Sequence, residues 1–166
     1  MATVDEVELL PDAEQHKMLM ATLERVNRVS NAARASALRQ NAFGGAPLRE
    51  IVKEELTRGK LPDGFTKPIT ERVEASLQRR AGKQQKFSTY QSLTLPPSAF
   101  KWNTSDRVTM LTAAGRRTIS VRVDMSRGDL RPPLAGRPAM LTFRNGEFEL
   151  LAADVDRNPV DDDDDY

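Results

Sequence analysis

Residues 7–19 read VELLPDAEQHKML, and the fold turns on how they are divided. The stretch TVDEVELL (3–10) alternates weakly and is dense in β-branched residues and leucine, as a short strand requires, and Pro11 and Asp12 close it. From Asp12 the apolar period becomes helical: Leu19, Leu23, Val26, Ala33 and Ala37 fall on one face, with Asp12 placed as the N-cap and Gly44-Gly45 as the stop. A strand at Val4–Leu10 has no local partner, and its backbone N–H and C=O groups need one. Its neighbours in the sheet are therefore expected beyond residue 87, on the far side of everything helical.

Two further helices follow. PLREIVKEELTRG (47–59) starts with Pro47 in its first turn and gathers Leu48, Ile51, Val52 and Leu56 on one side. TKPITERVEASLQRRAGK (66–83) gathers Ile69, Val73 and Leu77 and finishes with Arg79, Arg80 and Lys83, where cations suit the helix dipole. After Lys86 the pattern is β. FSTYQSLTL (87–95) alternates, Pro96-Pro97 interrupts it, and AFKWN (99–103) reads as a short strand or turn. VTMLT and TISVRV flank the turn AAGR, with Gly115 supplying the unusual backbone angle, and PAMLTF and EFELLAADV flank Arg144-Asn145-Gly146, where Asn-Gly is the strongest hairpin signal in the chain. MSRGDLRPPLAG (125–136) is a connection rich in proline and glycine. The expected fold class is α+β: a small antiparallel β-barrel of six or seven strands, formed by residues 1–11 and 87–156, with about three helices (12–86) inserted between its first and second strands.

Composition narrows the function. The 166 residues are 39% hydrophobic with mean hydropathy −0.55, and no apolar run approaches the roughly 18 residues of a membrane span. MATVDEVELLPD lacks a basic and then apolar leader, so a cytoplasmic location and no membrane partner are expected. With no cysteine there is no disulfide, thiol chemistry or zinc ribbon. A net charge of +1 conceals strong segregation: residues 12–86 hold 15 bases against nine acids and residues 87–144 nine against three, whereas 145–166 hold one base against nine acids. A basic body of this kind attracts polyanions, of which nucleic acid is the commonest.

Catalytic chemistry is thin. His16 is the only histidine and falls in a helix's first turn, expected to be exposed. Glu54 and Glu55 diverge on a helix, and Gly44-Gly45-Ala46-Pro47 is a helix break rather than a phosphate loop. The run Asp161–Asp165 is a solvated tether, because consecutive carboxylates on a flexible segment do not converge into an oxygen cage. No catalytic residue, metal ligand or cofactor is assigned to this chain.

Taken in order, the strand, proline and helix start in VELLPDAEQHKML, the segment ERVNRVSNAA (24–33), the hairpin MLTAAGRRTISVRV (110–123), the pair PAMLTFRNGEFELLAADVD (138–156) and the acidic VDDDDDY (160–166) carry a likeness over essentially the whole chain. The chain resembles the N-terminal half of the TnpB (OrfB) family, transposon-encoded RNA-guided DNA nucleases related to the type V CRISPR effectors. The resemblance implies that the barrel is an OB-like wedge domain and the helices a recognition insertion. It also implies that residues 157–166 are a linker to a RuvC-like nuclease domain, absent here, which would carry the magnesium ions.

The partners implied are a guide RNA and target DNA, with a separately encoded nuclease half as a further one. Holding a guide requires cations spaced along a groove, while base pairing reads the sequence. Arg25, Arg28 and Asn31 lie along the first helix, Asn31 at a position resembling the family's asparagine, and Arg116, Arg117 and Arg122 follow the hairpin turn, with Arg116 and Arg122 on one face by alternation. These six are the expected nucleic-acid-binding residues. Tyr90 and Trp102 are candidates for stacking on bases, against an ordinary core role for a lone tryptophan. The alternative function is a self-sufficient RNA- or DNA-binding regulatory module derived from the same family.

Overall fold

Asp12 sets where strand gives way to helix. Its carboxylate accepts from the Gln15 backbone N–H at 2.8 Å, while the Gln15 side-chain oxygen accepts from the Asp12 N–H at 3.1 Å, a reciprocal capping box that satisfies donors a helix start leaves unpaired. In the computed structural model, which describes residues 6–78, 86–104, 106–122, 134 and 136–153, helix α1 (Ala13–Gln40) runs 28 residues from this cap. It ends at Asn41, whose φ of 54° takes the left-handed conformation that asparagine tolerates, three residues before the glycine pair expected to stop it. Its expected apolar positions Leu19, Leu23, Val26, Ala33 and Ala37 are all buried.

Helices α2 (Gly45–Arg58) and α3 (Thr66–Gln78) follow, with Leu48, Ile51, Val52, Leu56, Ile69 and Val73 buried as their spacing predicts. The expected continuation of α3 through Arg79, Arg80 and Lys83 lies outside the described residues, as do Val4, most of the 125–136 connection and the acidic terminus Asp161–Asp165.

The strands are β1 (Glu6–Leu10), β2 (Leu93–Leu95), β3 (Phe100–Thr104), β4 (Arg107–Thr112), β5 (Gly115–Arg122), β6 (Ala139–Arg144) and β7 (Glu147–Ala152). They form one antiparallel sheet in the order β2-β6-β7-β1-β5-β4-β3. The N-terminal strand thus lies near the centre, with Leu9 opposite Val121 of β5 and Val7 opposite Leu150 of β7. Its partners are those expected from beyond residue 87. Both hairpin turns form as read: Gly115 has φ 90°, and Asn145 and Gly146 have φ 55° and 80°, the pair of positive angles that a two-residue turn matched to strand twist demands.

The two edge strands, β2 and β3, are consecutive in sequence, joined by residues 96–99. So short a connection spans at most about 17 Å, so the sheet must curl until its edges approach at that corner. No ladder joins β2 to β3 among the described residues, and the result is a curled half-barrel rather than a closed one. Its concave face carries Val7, Leu9, Leu93, Leu95, Val108, Met110, Ile119, Val121, Leu141, Phe148 and Leu150, in one continuous core with the apolar stripes of all three helices. α1 lies across the hairpin end. Gln15 Nε2 donates to the Thr118 carbonyl at 2.9 Å, and Thr22 Oγ1 accepts from the Ala113 N–H at 2.9 Å.

One element differs from expectation. FSTYQSLTL forms a strand only over Leu93–Leu95. Upstream of it, the backbone groups that a ladder would occupy are taken by side chains of α1 and α3.

Candidate nucleic-acid interface

That upstream segment, residues 87–92, is a strap fastened from below. Asn31 Nδ2 donates to the Phe87 carbonyl at 2.9 Å and its Oδ1 accepts from the Phe87 N–H at 2.7 Å, so one carboxamide does the work of a paired strand residue. One turn earlier on the same face, the buried Asn27 donates from Nδ2 to the carbonyls of Thr89 (2.9 Å) and Gln91 (3.1 Å). Its Oδ1 accepts from Arg72 Nη1 of α3 at 2.7 Å, and Arg72 Nη2 donates to the Ser92 carbonyl at 3.1 Å. The Arg72 guanidinium also sits 4.1 Å from the centre of the Phe87 ring, a cation–π contact. Ser88 and Gln91 close the strap locally, Ser88 N donating to Gln91 Oε1 at 3.0 Å and Gln91 N to the Ser88 carbonyl at 3.1 Å.

Asn27 and Arg72 were not among the expected functional residues. Their sequence signal is faint: two asparagines one helical turn apart, the first inside the apolar stripe of α1 between Val26 and Val29. A polar side chain held at such a position needs partners, and here they lie 62 and 64 residues away. Asn31, expected to face nucleic acid, has its amide nitrogen and oxygen both engaged with Phe87.

The expected arginines lie at three places. Arg25 and Arg28 are exposed on the outer face of α1, Arg28 paired with Glu24 one turn back. Thr22, three residues before Arg25 on α1, holds the β4–β5 turn, and Arg116 and Arg117 follow that turn on β5. Arg116 Nη2 donates to the Ser98 carbonyl at 3.0 Å and Arg117 Nη1 to the Arg116 carbonyl at 2.8 Å, both side chains remaining exposed. Arg122 shares a strand face with Arg116 as alternation predicts, but lies six residues along β5, about 20 Å away. There it stands beside Glu8 of β1, Nη1 to Oε2 3.5 Å, because register places Glu8 opposite Arg122. The structure therefore places Arg25 and Arg28 on the outer face of α1, Arg116 and Arg117 beside the β4–β5 turn, and Arg122 further along β5 with its charge offset by Glu8.

The aromatic residues also divide. Trp102 is partly buried against the core. Tyr90, at the crest of the strap, is 40% exposed, and its ring lies 5.9 Å from Phe143, inclined at 62°. Phe143 continues inward to Phe148 at 4.8 Å, and His16 packs edge-on against both at 6.0 and 5.2 Å. His16, expected to be exposed, is half-buried because the β6–β7 turn lies over it, the Gly146 carbonyl 3.4 Å from Nε2. Among the described residues no three histidine, aspartate or glutamate side chains come together as a metal-binding group, and no helix is long and apolar enough to cross a membrane. No protein-family model and no curated protein matches this chain.

Proposed function

We propose that this chain is the nucleic-acid-binding N-terminal portion of a TnpB-like, transposon-encoded RNA-guided DNA endonuclease, binding guide RNA and target DNA. In this reading the curled sheet is the wedge-type, OB-like barrel and α1–α3 are the recognition helices inserted after its first strand. Cleavage, with its magnesium ions, is the task of a RuvC-like domain beyond the linker.

The observation that carries the reading is the path of the chain. β1 is laid between β5 and β7, and α1, α2 and α3 follow it before β2 begins. That arrangement accompanies the sequence likeness over VELLPDAEQHKML and the two hairpins, and it accompanies a body in which residues 12–86 hold 15 bases against nine acids. Exposed guanidinium groups on α1 and at the β4–β5 turn supply phosphate contacts that position a polynucleotide without reading its sequence. Sequence is then read by base pairing to the guide.

The test is purification of the chain from cells followed by sequencing of co-purifying RNA, with a salt titration of binding to the recovered species. A discrete RNA, bound with an affinity that falls linearly in log salt, is the expected result. Recovery of no RNA, together with no binding to RNA supplied in vitro at low salt, defeats the proposal.

A further inference from the structure

Tyr90 is held by the backbone on both sides of it and by a ring behind it. The carbonyls on either side of it, those of Thr89 and Gln91, are both held by Nδ2 of Asn27, a residue only 1% exposed. The strap is further tied at Phe87 by Asn31 and at Ser92 by Arg72. Its ring is backed by Phe143, behind which stand Phe148 and His16. A singly exposed aromatic residue needs no explanation. What requires one is a buried polar network, anchored on two helices, whose mechanical effect is to hold a 40% exposed ring in a fixed place and orientation.

We propose that Tyr90, supported by Phe143 and His16, is a stacking platform for an unpaired nucleobase. The inference rests on the nucleic-acid-binding reading above and adds a base-contacting site to it. A nucleobase is the ligand whose flat π-face matches a rigid exposed ring, and stacking of this kind tolerates any base. Charge points to the same ligand: exposed Lys86 opens the strap and exposed Lys17 follows His16 on α1, cations suited to the phosphates that flank a stacked base. Because the strap is already ordered, binding spends little conformational entropy in positioning the ring. An acidic peptide would share the cations but has no need of the platform.

The experiment measures fluorescence anisotropy of single-stranded 12-nucleotide probes, RNA and DNA of the same sequence, and of a base-free sugar–phosphate oligomer of equal length, across a salt series. Wild-type protein is compared with Tyr90→Ala and Tyr90→Phe, each checked for an unchanged thermal melt. Tyr90→Ala is expected to bind base-bearing probes about tenfold more weakly, with the same salt slope as wild type, while Tyr90→Phe stays close to wild type. The base-free oligomer should not distinguish the three proteins. A loss confined to RNA or to DNA supports the platform and names its source. In a second readout, Tyr90→Trp in a Trp102→Phe background carries its sole tryptophan at the site, and its emission should be quenched by the probes. If wild type binds with the expected salt slope and Tyr90→Ala binds equally well, the platform is wrong and the nucleic-acid reading stands. An equal loss on the base-free oligomer also overturns it, since the change then acts through structure. Absence of any binding by wild type removes both.

Discussion

Replacing Asn27 by alanine should cost this protein more stability than any exposed substitution, and the size follows from what its carboxamide holds. Three hydrogen bonds disappear: two from Nδ2 to the Thr89 and Gln91 carbonyls and one from Arg72 to Oδ1. Neutral bonds of this type are worth about 1 kcal/mol each and one to a charged group about 1.5–3 kcal/mol. The strap carbonyls lie near the surface and can recover water, which discounts the neutral terms, whereas Arg72 is wedged between α1 and the Phe87 ring and recovers less. A loss of about 3 kcal/mol results, equivalent to a fall in Tm of about 6–12 °C for a chain of this length. Thermal and urea unfolding followed by far-UV circular dichroism measure it directly. A double-mutant cycle with Arg72→Met sharpens the test, because removing both partners spares the cost of leaving one unpaired, and a coupling of at least about 1 kcal/mol is expected. A single-mutant loss below about 1 kcal/mol, or strict additivity in the cycle, would show that the network is ornamental and the strap is held by something else.

Asp12→Ala removes the N-cap of α1 and should lower stability by about 1 kcal/mol in urea unfolding; an unchanged midpoint would mean that the contact of Gln15 with Thr118 alone fixes the helix start. Gly59→Ala and Gly64→Ala should differ: a Cβ at residue 59 would stand 2.5 Å from Cγ2 of the buried, β-branched Val29, and one at 64 would meet the more adaptable tip of Leu111 at 2.8 Å. Overpacking costs about 1–3 kcal/mol, and calorimetry should place Gly59→Ala at the upper end and Gly64→Ala at the lower; the reverse order contradicts the packing argument. The double charge reversal Arg116→Glu with Arg117→Glu should weaken RNA binding and flatten its log–log salt slope by about 1.4, two single-strand phosphate contacts, whereas Arg122→Ala, already offset by Glu8, should change the slope little. Equal effects from the two changes in a filter-binding titration would show that the surface is not organised as proposed.

The parts of this fold that could be read in the sequence are those set by short-range chemistry. Asp12 and Gln15 cap each other three residues apart, Asn145 and Gly146 both need positive φ, and the stripes of α1 to α3 repeat with the helical period. Even the non-local pairing of β1 was reachable, because a strand with no neighbour in sequence must find one elsewhere. The strap was not. Residues 87–92 alternate like a strand, and nothing local says that Asn31, 56 residues before Phe87, will take both of that residue's backbone groups. Periodicity assigns a residue to a face of its element; it does not say which element lies opposite. The same limit explains Arg122, whose alternation was right and whose pairing with Glu8 depends on register between strands 114 residues apart, and His16, half-buried by a turn 130 residues downstream.

α1 touches every other part of the proposed interface: β5 through Gln15, the β6–β7 turn through His16, the β4–β5 turn through Thr22, and the strap through Asn27 and Asn31. Its apolar face joins the same continuous core as the sheet. Cations on α1 and on β5, and the ring of Tyr90, are therefore carried by one packed body rather than by modules on a hinge. For a polyanion this matters, because phosphates recur at fixed spacing along a strand and a set of cations at fixed separation meets them without first being ordered. The buried Asn27 and the half-buried Asn31, which contribute nothing to charge, serve that geometry by fastening the strap to α1.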